Sequence, residues 1–124
     1  MPSLPLNDEA IYRHQLIRMQ ELTDTFKGEI WMSNFTIRVE LHGANGADYI
    51  LLHEKMAQQG LTDIVVDDSG RRYKMSPGEY NFQGIATIEQ VMTSARVATS
   101  QTNRNWAIMV SEASKRIWEG LPFA

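Results

Sequence analysis

The chain contains no cysteine, which excludes disulfide staples, thiolate metal sites and cysteine nucleophiles. Stability must come from packing, and any metal would sit on oxygen or imidazole ligands. No run approaches the roughly 20 apolar residues a membrane helix requires, and the start lacks the basic-then-apolar order of a secretory signal; both point to the cytoplasm. A basic excess is missing too. The formal charge is −3, so nothing draws the chain to phosphate backbones in general, and contact with nucleic acid needs a local basic patch. A glycine-rich phosphate loop, a serine nucleophile elbow and a His-x-x-x-His pair are absent, and with them the common NTPase, hydrolase and zinc-protease signatures. What is present is 124 residues, 43% of them hydrophobic. That suffices for one globular core and leaves no room for a second domain.

Residues 8–26 carry Tyr12, Leu16, Met19 and Phe26 at near-helical spacing, with Asn7 placed to cap and Pro5 before it, predicting an amphipathic helix. Lys27, Gly28 and Glu29 break that pattern, and a strand-like one begins past Trp31. The chain therefore divides into an N-terminal extension, 1–31, and a domain, 32–124. Two readings of the extension stay open. It is either a docking helix or a translated leader ahead of Met32, since Lys-Gly-Glu can be encoded by a purine-rich, ribosome-binding-like run.

Within the domain, Phe35, Ile37, Val39 and Leu41 alternate with Thr36, Arg38, Glu40 and His42, as in a strand buried on one face. Residues 43–46 read as a turn. Tyr49, Leu52, His53 and Met56 then recur at helical spacing, with Gly60 as a left-handed C-cap. Leu61 to Val66 is β-branched and apolar, and Asp67-Asp68-Ser69-Gly70 is a turn signal. Residues 72–75 and 79–82 return toward strand character around Ser76-Pro77-Gly78, making an irregular hairpin. Thr87 and Gln90 form a capping-box pair ahead of Ile88, Val91, Met92, Ala95 and Ala98, so a second helix runs to about Ser100. Residues 106–111 form a last strand with Trp106, Ile108 and Val110 inward, and Ile117, Trp118, Leu121 and Phe123 form an apolar tail suited to covering an edge. The order β-α-β-β-α-β predicts an α+β, ferredoxin-like split β-α-β fold: a four-stranded antiparallel sheet with both helices on one face and the other face open.

Residues 32–121 resemble the GhoS-like family, the endoribonuclease antitoxins of type V toxin-antitoxin systems. The resemblance rests on the run from Phe35 to Ala44 (FTIRVELHGA), on Asp48-Tyr49 with Leu52-His53 and Met56, on Asp67-Asp68-Ser69-Gly70 with Tyr73, and on Glu79-Tyr80 before Phe82. It continues through Trp106 to Val110, Glu112 and Arg116 to Leu121, about three quarters of the chain. Residues 1–31 have no counterpart in the family pattern. The resemblance implies a ferredoxin-like domain similar to the small CRISPR-associated nucleases, and an antitoxin that cuts the messenger RNA of a membrane-lytic toxin rather than binding the toxin. In that nuclease relative a carboxylate near the end of the first strand is linked to metal-dependent cleavage. Its nearest match here is Glu40, longer than the usual aspartate.

The residues themselves offer a matching chemistry. Glu40 and His42, two apart on one strand, both point to the open face, about 6–7 Å apart along it. That suits a general base and acid acting on a ribose 2′-hydroxyl and a leaving oxygen, with Arg38 stabilising the phosphorane charge. Against this stands the plainer possibility that the three are solvated polar residues of a half-exposed strand. Arg71, Arg72 and Lys74 form the one dense basic cluster, interleaved with Tyr73, and read either as a phosphate grip with a stacking ring or as a charged hairpin tip. His53, on the apolar face of its helix, reads as a core or boundary histidine. Asp67-Asp68 falls short of a calcium-loop pattern, so no metal site is assigned and the cofactor expectation is none, a divalent ion staying open.

The functional expectation is an endoribonuclease antitoxin cleaving single-stranded messenger RNA, with no membrane partner. The alternative is a non-catalytic ferredoxin-like module that binds a protein or pairs with itself as a homodimer. The charge balance favours the alternative: residues 32–124 hold nine Lys or Arg against ten Asp or Glu.

Overall fold

A computed structural model describes residues 32–124; the helix expected over 8–26 lies outside them. The order is β1 (Ser33–Leu41), α1 (Gly46–Gln58), β2 (Ile64–Val66), β3 (Arg72–Lys74), β4 (Glu79–Gly84), α2 (Ile88–Ser100) and β5 (Trp106–Ala113). None of the helices among the described residues is long and apolar enough to cross a membrane.

β1 takes the centre of the sheet because its alternation supplies the largest inward side chains. Phe35, Ile37, Val39 and Leu41 are all buried. It is flanked by β4 and β5, both antiparallel, with Arg38 opposite Glu79 on one side and Met109 on the other. The inward row packs against Leu52 and Met56 of α1 and Val91, Ala95 and Ala98 of α2, so both helices cover the same face. Each fully buried side chain of this size contributes roughly 1.5–3 kcal/mol.

Both helices begin at reciprocal caps. Asn45 Oδ1 accepts from the Asp48 amide while Asp48 Oδ2 accepts from the Asn45 amide, each at 3.0 Å. The Thr87/Gln90 box expected from the sequence forms in the same way, at 3.1 and 2.8 Å. Each cap is worth about 1 kcal/mol. α1 ends where expected, with Gly60 at φ +79°. Arg104 Nε bonds Asp48 Oδ2 at 3.0 Å, tying the approach to β5 to the first turn of α1.

The fourth strand departs from expectation. The sheet has three strands in the order β4-β1-β5, and β2 with β3 makes a separate two-stranded ribbon. Thr62 still pairs with Asn81 of β4, its carbonyl accepting at 2.6 Å, but the chain then leaves that edge and turns into the ribbon. Residues 72–75 and 79–82, expected to belong to one irregular hairpin, are two strands in different sheets. Ser76-Pro77-Gly78 is the cause, since proline lacks an amide for a ladder and Gly78 adopts φ +83°. The tail covers an edge as anticipated: Lys74 donates to the Pro122 carbonyl at 2.8 Å, Ala124 donates to the Arg72 carbonyl at 3.1 Å, and Tyr73 pairs with Phe123.

Gly78 is the hinge of this arrangement, and no side chain fits there. Its carbonyl accepts the Val39 amide at 2.8 Å, and a Cβ would lie 2.7 Å from the Val39 oxygen. Gly78→Ala should cost more than about 2 kcal/mol, the left-handed backbone alone accounting for roughly 1–2. In urea unfolding the midpoint should drop with the slope unchanged; an unshifted midpoint would show that the turn tolerates a side chain.

Candidate functional site

Three groups of polar side chains lie where the fold makes them accessible. The first is the outer row of β1. Period-two alternation puts Arg38, Glu40 and His42 opposite the core, and all three are exposed. Glu40 Oε1 and His42 Nε2 are 3.3 Å apart, with the two side chains 72% and 52% exposed. The pair expected from the spacing is therefore in contact, and solvent reaches it. Lower on the same face, the Arg116 guanidinium donates to Thr36 Oγ1 at 3.2 Å and to the Phe35 carbonyl at 3.4 Å, so the tail occupies the beginning of the row and leaves its end free. Burial lowers the Arg116 pKa.

Two donors do not make a divalent-cation site. Among the described residues no three His, Asp or Glu side chains converge.

The second group is the β2–β3 ribbon. Alternation here separates what the sequence interleaves: Arg72 and Lys74 are exposed on one side of β3, while Tyr73 points the other way. The Tyr73 ring is packed against Trp118, centroids 5.7 Å apart, and Phe123, 5.4 Å apart, and its hydroxyl donates to Asp67 Oδ2 at 3.2 Å. Phe123, 69% exposed, is the open ring on this surface, and the Arg71 guanidinium lies 5.4 Å from its centroid. Gly70, Arg71, Arg72, Phe123 and Ala124 line a shallow depression there.

Asp67 builds the turn that holds this ribbon. Its Oδ1 accepts from the Ser69 hydroxyl at 2.6 Å and from the Ser69 and Arg71 amides at 2.9 Å each. Hydrogen bonding, led by the Ser69 hydroxyl and then the Arg71 amide, lowers its pKa below the ordinary 3.8. Because the folded value is depressed, the support it lends the turn is complete above 3.8 and is lost as pH falls through the lower folded value. The amide resonances of Ser69 and Arg71 should titrate together with a midpoint below 3.8; a midpoint at or above it would mean these bonds do not persist in solution.

The third group lies in a cleft of about 650 Å³ that opens where β2 leaves the edge of β4. α1 supplies Tyr49, Ile50 and His53, the end of β3 supplies Lys74, the turn before β4 supplies Met75 to Gly78, β4 supplies Glu79 and Tyr80, and the tail closes one side with Gly120 to Pro122. His53 is the boundary histidine its helical position implied. Its Nε2 is 3.6 Å from Asp63 Oδ2, and its ring sits 5.8 Å from that of Tyr80. Tyr49 accepts the Leu41 amide at 3.0 Å, which anchors α1 to the end of β1. Burial, and then the charge of Asp63, push the Tyr80 pKa up to about 12, so this phenol stays neutral through the physiological range.

The structure thus brings Glu40 and His42 together with Arg38 on their row, and it parts Tyr73 from Arg72 and Lys74, with Lys74 lining the cleft. Sequence reasoning passed over Asp63, Glu79 and Tyr80. Asp63 and His53 are ten positions apart on different elements, and no local pattern joins them. The one available signal was His53 itself, a titratable residue beside an apolar stripe. No family model matches the chain, and neither a curated protein nor a solved structure shows significant similarity to it.

Proposed function

We propose that this chain is a ferredoxin-like endoribonuclease that cuts single-stranded RNA in the cytoplasm, and that its target is a toxin messenger, as in the GhoS-like antitoxins it resembles. One observation carries the reading: Glu40 and His42 touch at 3.3 Å on an exposed sheet face with Arg38 in line. In the proposed chemistry one member of the pair takes the 2′-hydroxyl proton as that oxygen attacks phosphorus. The other delivers a proton to the departing 5′-oxygen, and Arg38 offsets the charge on the pentavalent phosphorane. The ferredoxin-like description is supported by the element order, by β1 between β4 and β5, by both helices on one face, and by the Thr62–Asn81 pairing as the remnant of a fourth strand.

Incubating the pure chain with mixed RNA, with and without a chelator, is the direct test. Cleavage in both conditions is expected, and intact RNA would sink the reading. Arg71 and Arg72 are proposed to hold the phosphate backbone, both being exposed at the ribbon tip. RNA affinity should then fall steeply with salt, and the slope of log affinity against log salt should lessen by about 1.4 in Arg71→Ala/Arg72→Ala, taking roughly 0.7 per contact for single strands. An identical slope in the double variant would remove these arginines from the interface.

A second reading has its own observation. Met109, opposite Arg38 in the middle of the outer face, is 66% exposed, which suits a non-catalytic module that pairs through this face. An inert protein that elutes as a dimer would favour it.

A further inference from the structure

We propose that the cleft beside β4 takes a single unstacked base of the RNA strand, guanine by preference, and so selects the position of cutting. The inference rests on the nuclease reading for its biological sense, while the binding it predicts is measurable without any cleavage.

Size and composition come first. About 650 Å³ lies within the range of ligand sites, and the opening is bordered by Ile50, 73% exposed, and by the prolines and leucine of the closing loops. A flat apolar body can lie against this border and the half-exposed His53 ring, which is itself held by Tyr80 and Asp63. Base-on-ring stacking of this kind is how proteins seize unpaired nucleotides.

The polar groups then narrow the occupant. Asp63 and Glu79 bring carboxylates, which only accept hydrogen bonds when ionised. Their complement must offer N–H groups side by side on a planar edge. Guanine does so through its ring N1–H and its exocyclic amine; uracil offers one N–H between two carbonyls that would face the carboxylates unpaired. An arginine side chain presents similar donors on a flat group. It would, however, meet Lys74 in the same cleft, whereas a nucleotide phosphate is attracted to it.

Location supplies the link to the reaction. Glu79 lines the cleft and stands directly opposite Arg38 in the β1–β4 ladder. Directly opposed residues have Cβ atoms about 4.5–5.5 Å apart. Glu40 and His42 follow Arg38 on the outer row, whereas α1 and Tyr80 line the cleft from the helix side, so a strand with its base in the cleft has to cross the β4 edge at Glu79 to bring a phosphodiester to the pair.

Titration of the full chain with the four nucleoside 5′-monophosphates, followed by chemical shifts of the His53 and Tyr80 rings, tests this. Guanosine monophosphate should bind at least about tenfold tighter than the uridine compound, and Asp63→Asn and Glu79→Gln should each weaken it by about tenfold or more, as for a bidentate base contact. The two variants guard against a folding defect in either, and far-ultraviolet circular dichroism accompanies both. Equal affinity for all four nucleotides, no binding, or tighter binding of N-acetyl-arginine amide would each overturn the proposal. Selective guanosine binding by a protein that leaves RNA intact would uphold the base site while removing the nuclease reading.

Discussion

Glu40→Gln and His42→Ala, made separately, should each slow RNA cleavage by about 10²–10⁴-fold, the usual contribution of a positioned acid or base. Glutamine keeps the size of Glu40 and its hydrogen bonding to His42 but cannot accept the proton. The double variant should be little worse than either single one, because groups that work as a pair are not additive when removed. Neither change should disturb the fold. Both side chains are more than half exposed, and the polar partner of each among the described residues is the other, so stability should stay within about 0.5 kcal/mol of the parent. This combination is what separates chemistry from scaffolding. Unchanged cleavage in both single variants would reduce the pair to a solvated surface contact, the plainer reading of a polar strand face. Loss of cleavage with a matching loss of stability would place the effect in the fold instead.

The largest expected effect on stability is at Phe35. Its ring is fully buried, lies in the central strand and packs 6.2 Å from the ring of Phe82, its direct partner in β4. Phe35→Ala removes that contact and opens a cavity in the hydrophobic core, at a cost of about 3–5 kcal/mol. A domain of this size has roughly 5–15 kcal/mol in total, so the variant should be marginal at room temperature, with a midpoint lower by about 12 °C or more. Thermal unfolding followed by circular dichroism checks it. A shift under about 4 °C would mean that the neighbours collapse into the space or that this end of the sheet is loosely packed. Phe35→Leu should recover much of the loss, since it retains most of the apolar volume.

Phe35 and Glu40 are five positions apart on β1, and their opposite fates follow from a period of two. That much is legible in the letters. From Phe35 to Leu41 the alternation names the buried face, and Glu40 and His42 fall on the other face by parity. Thr87 with Gln90 predicts the start of α2, Gly60 the end of α1, and Asp67 to Gly70 the ribbon turn, because each depends on backbone geometry within a few residues. The cap at Asn45 and Asp48 was equally local and was passed over as a turn, although both residue types are strong N-terminal signals.

The path of the fourth strand was of another kind. Residues 61–66 are as strand-prone as any in the chain, and nothing in them says whether they pair with β4 or with residues 72–74. The choice is a competition. β4 offers a long-range edge, the Asp67 turn offers a partner a few residues away, and the tail adds further bonds to the ribbon through Pro122 and Ala124. Closing a short loop costs less entropy than closing a long one, and the ribbon wins after a single pair at Thr62. Tyr73 shows the same limit on a smaller scale, since its neighbours in sequence are arginine and lysine but its neighbours in space are Trp118 and Phe123.

By itself, then, the sequence determined the two helices, the central strand with its buried face, and the placing of Glu40 and His42 together on the other face. All of these follow from repeat periods and caps that act over a few residues. Only the tertiary structure decided that β2 abandons the sheet, that the tail seals the ribbon, and that His53, Asp63, Glu79 and Tyr80 meet around one cleft. Such groupings depend on which distant segments gain most by packing together, and that is a property of the whole chain at once.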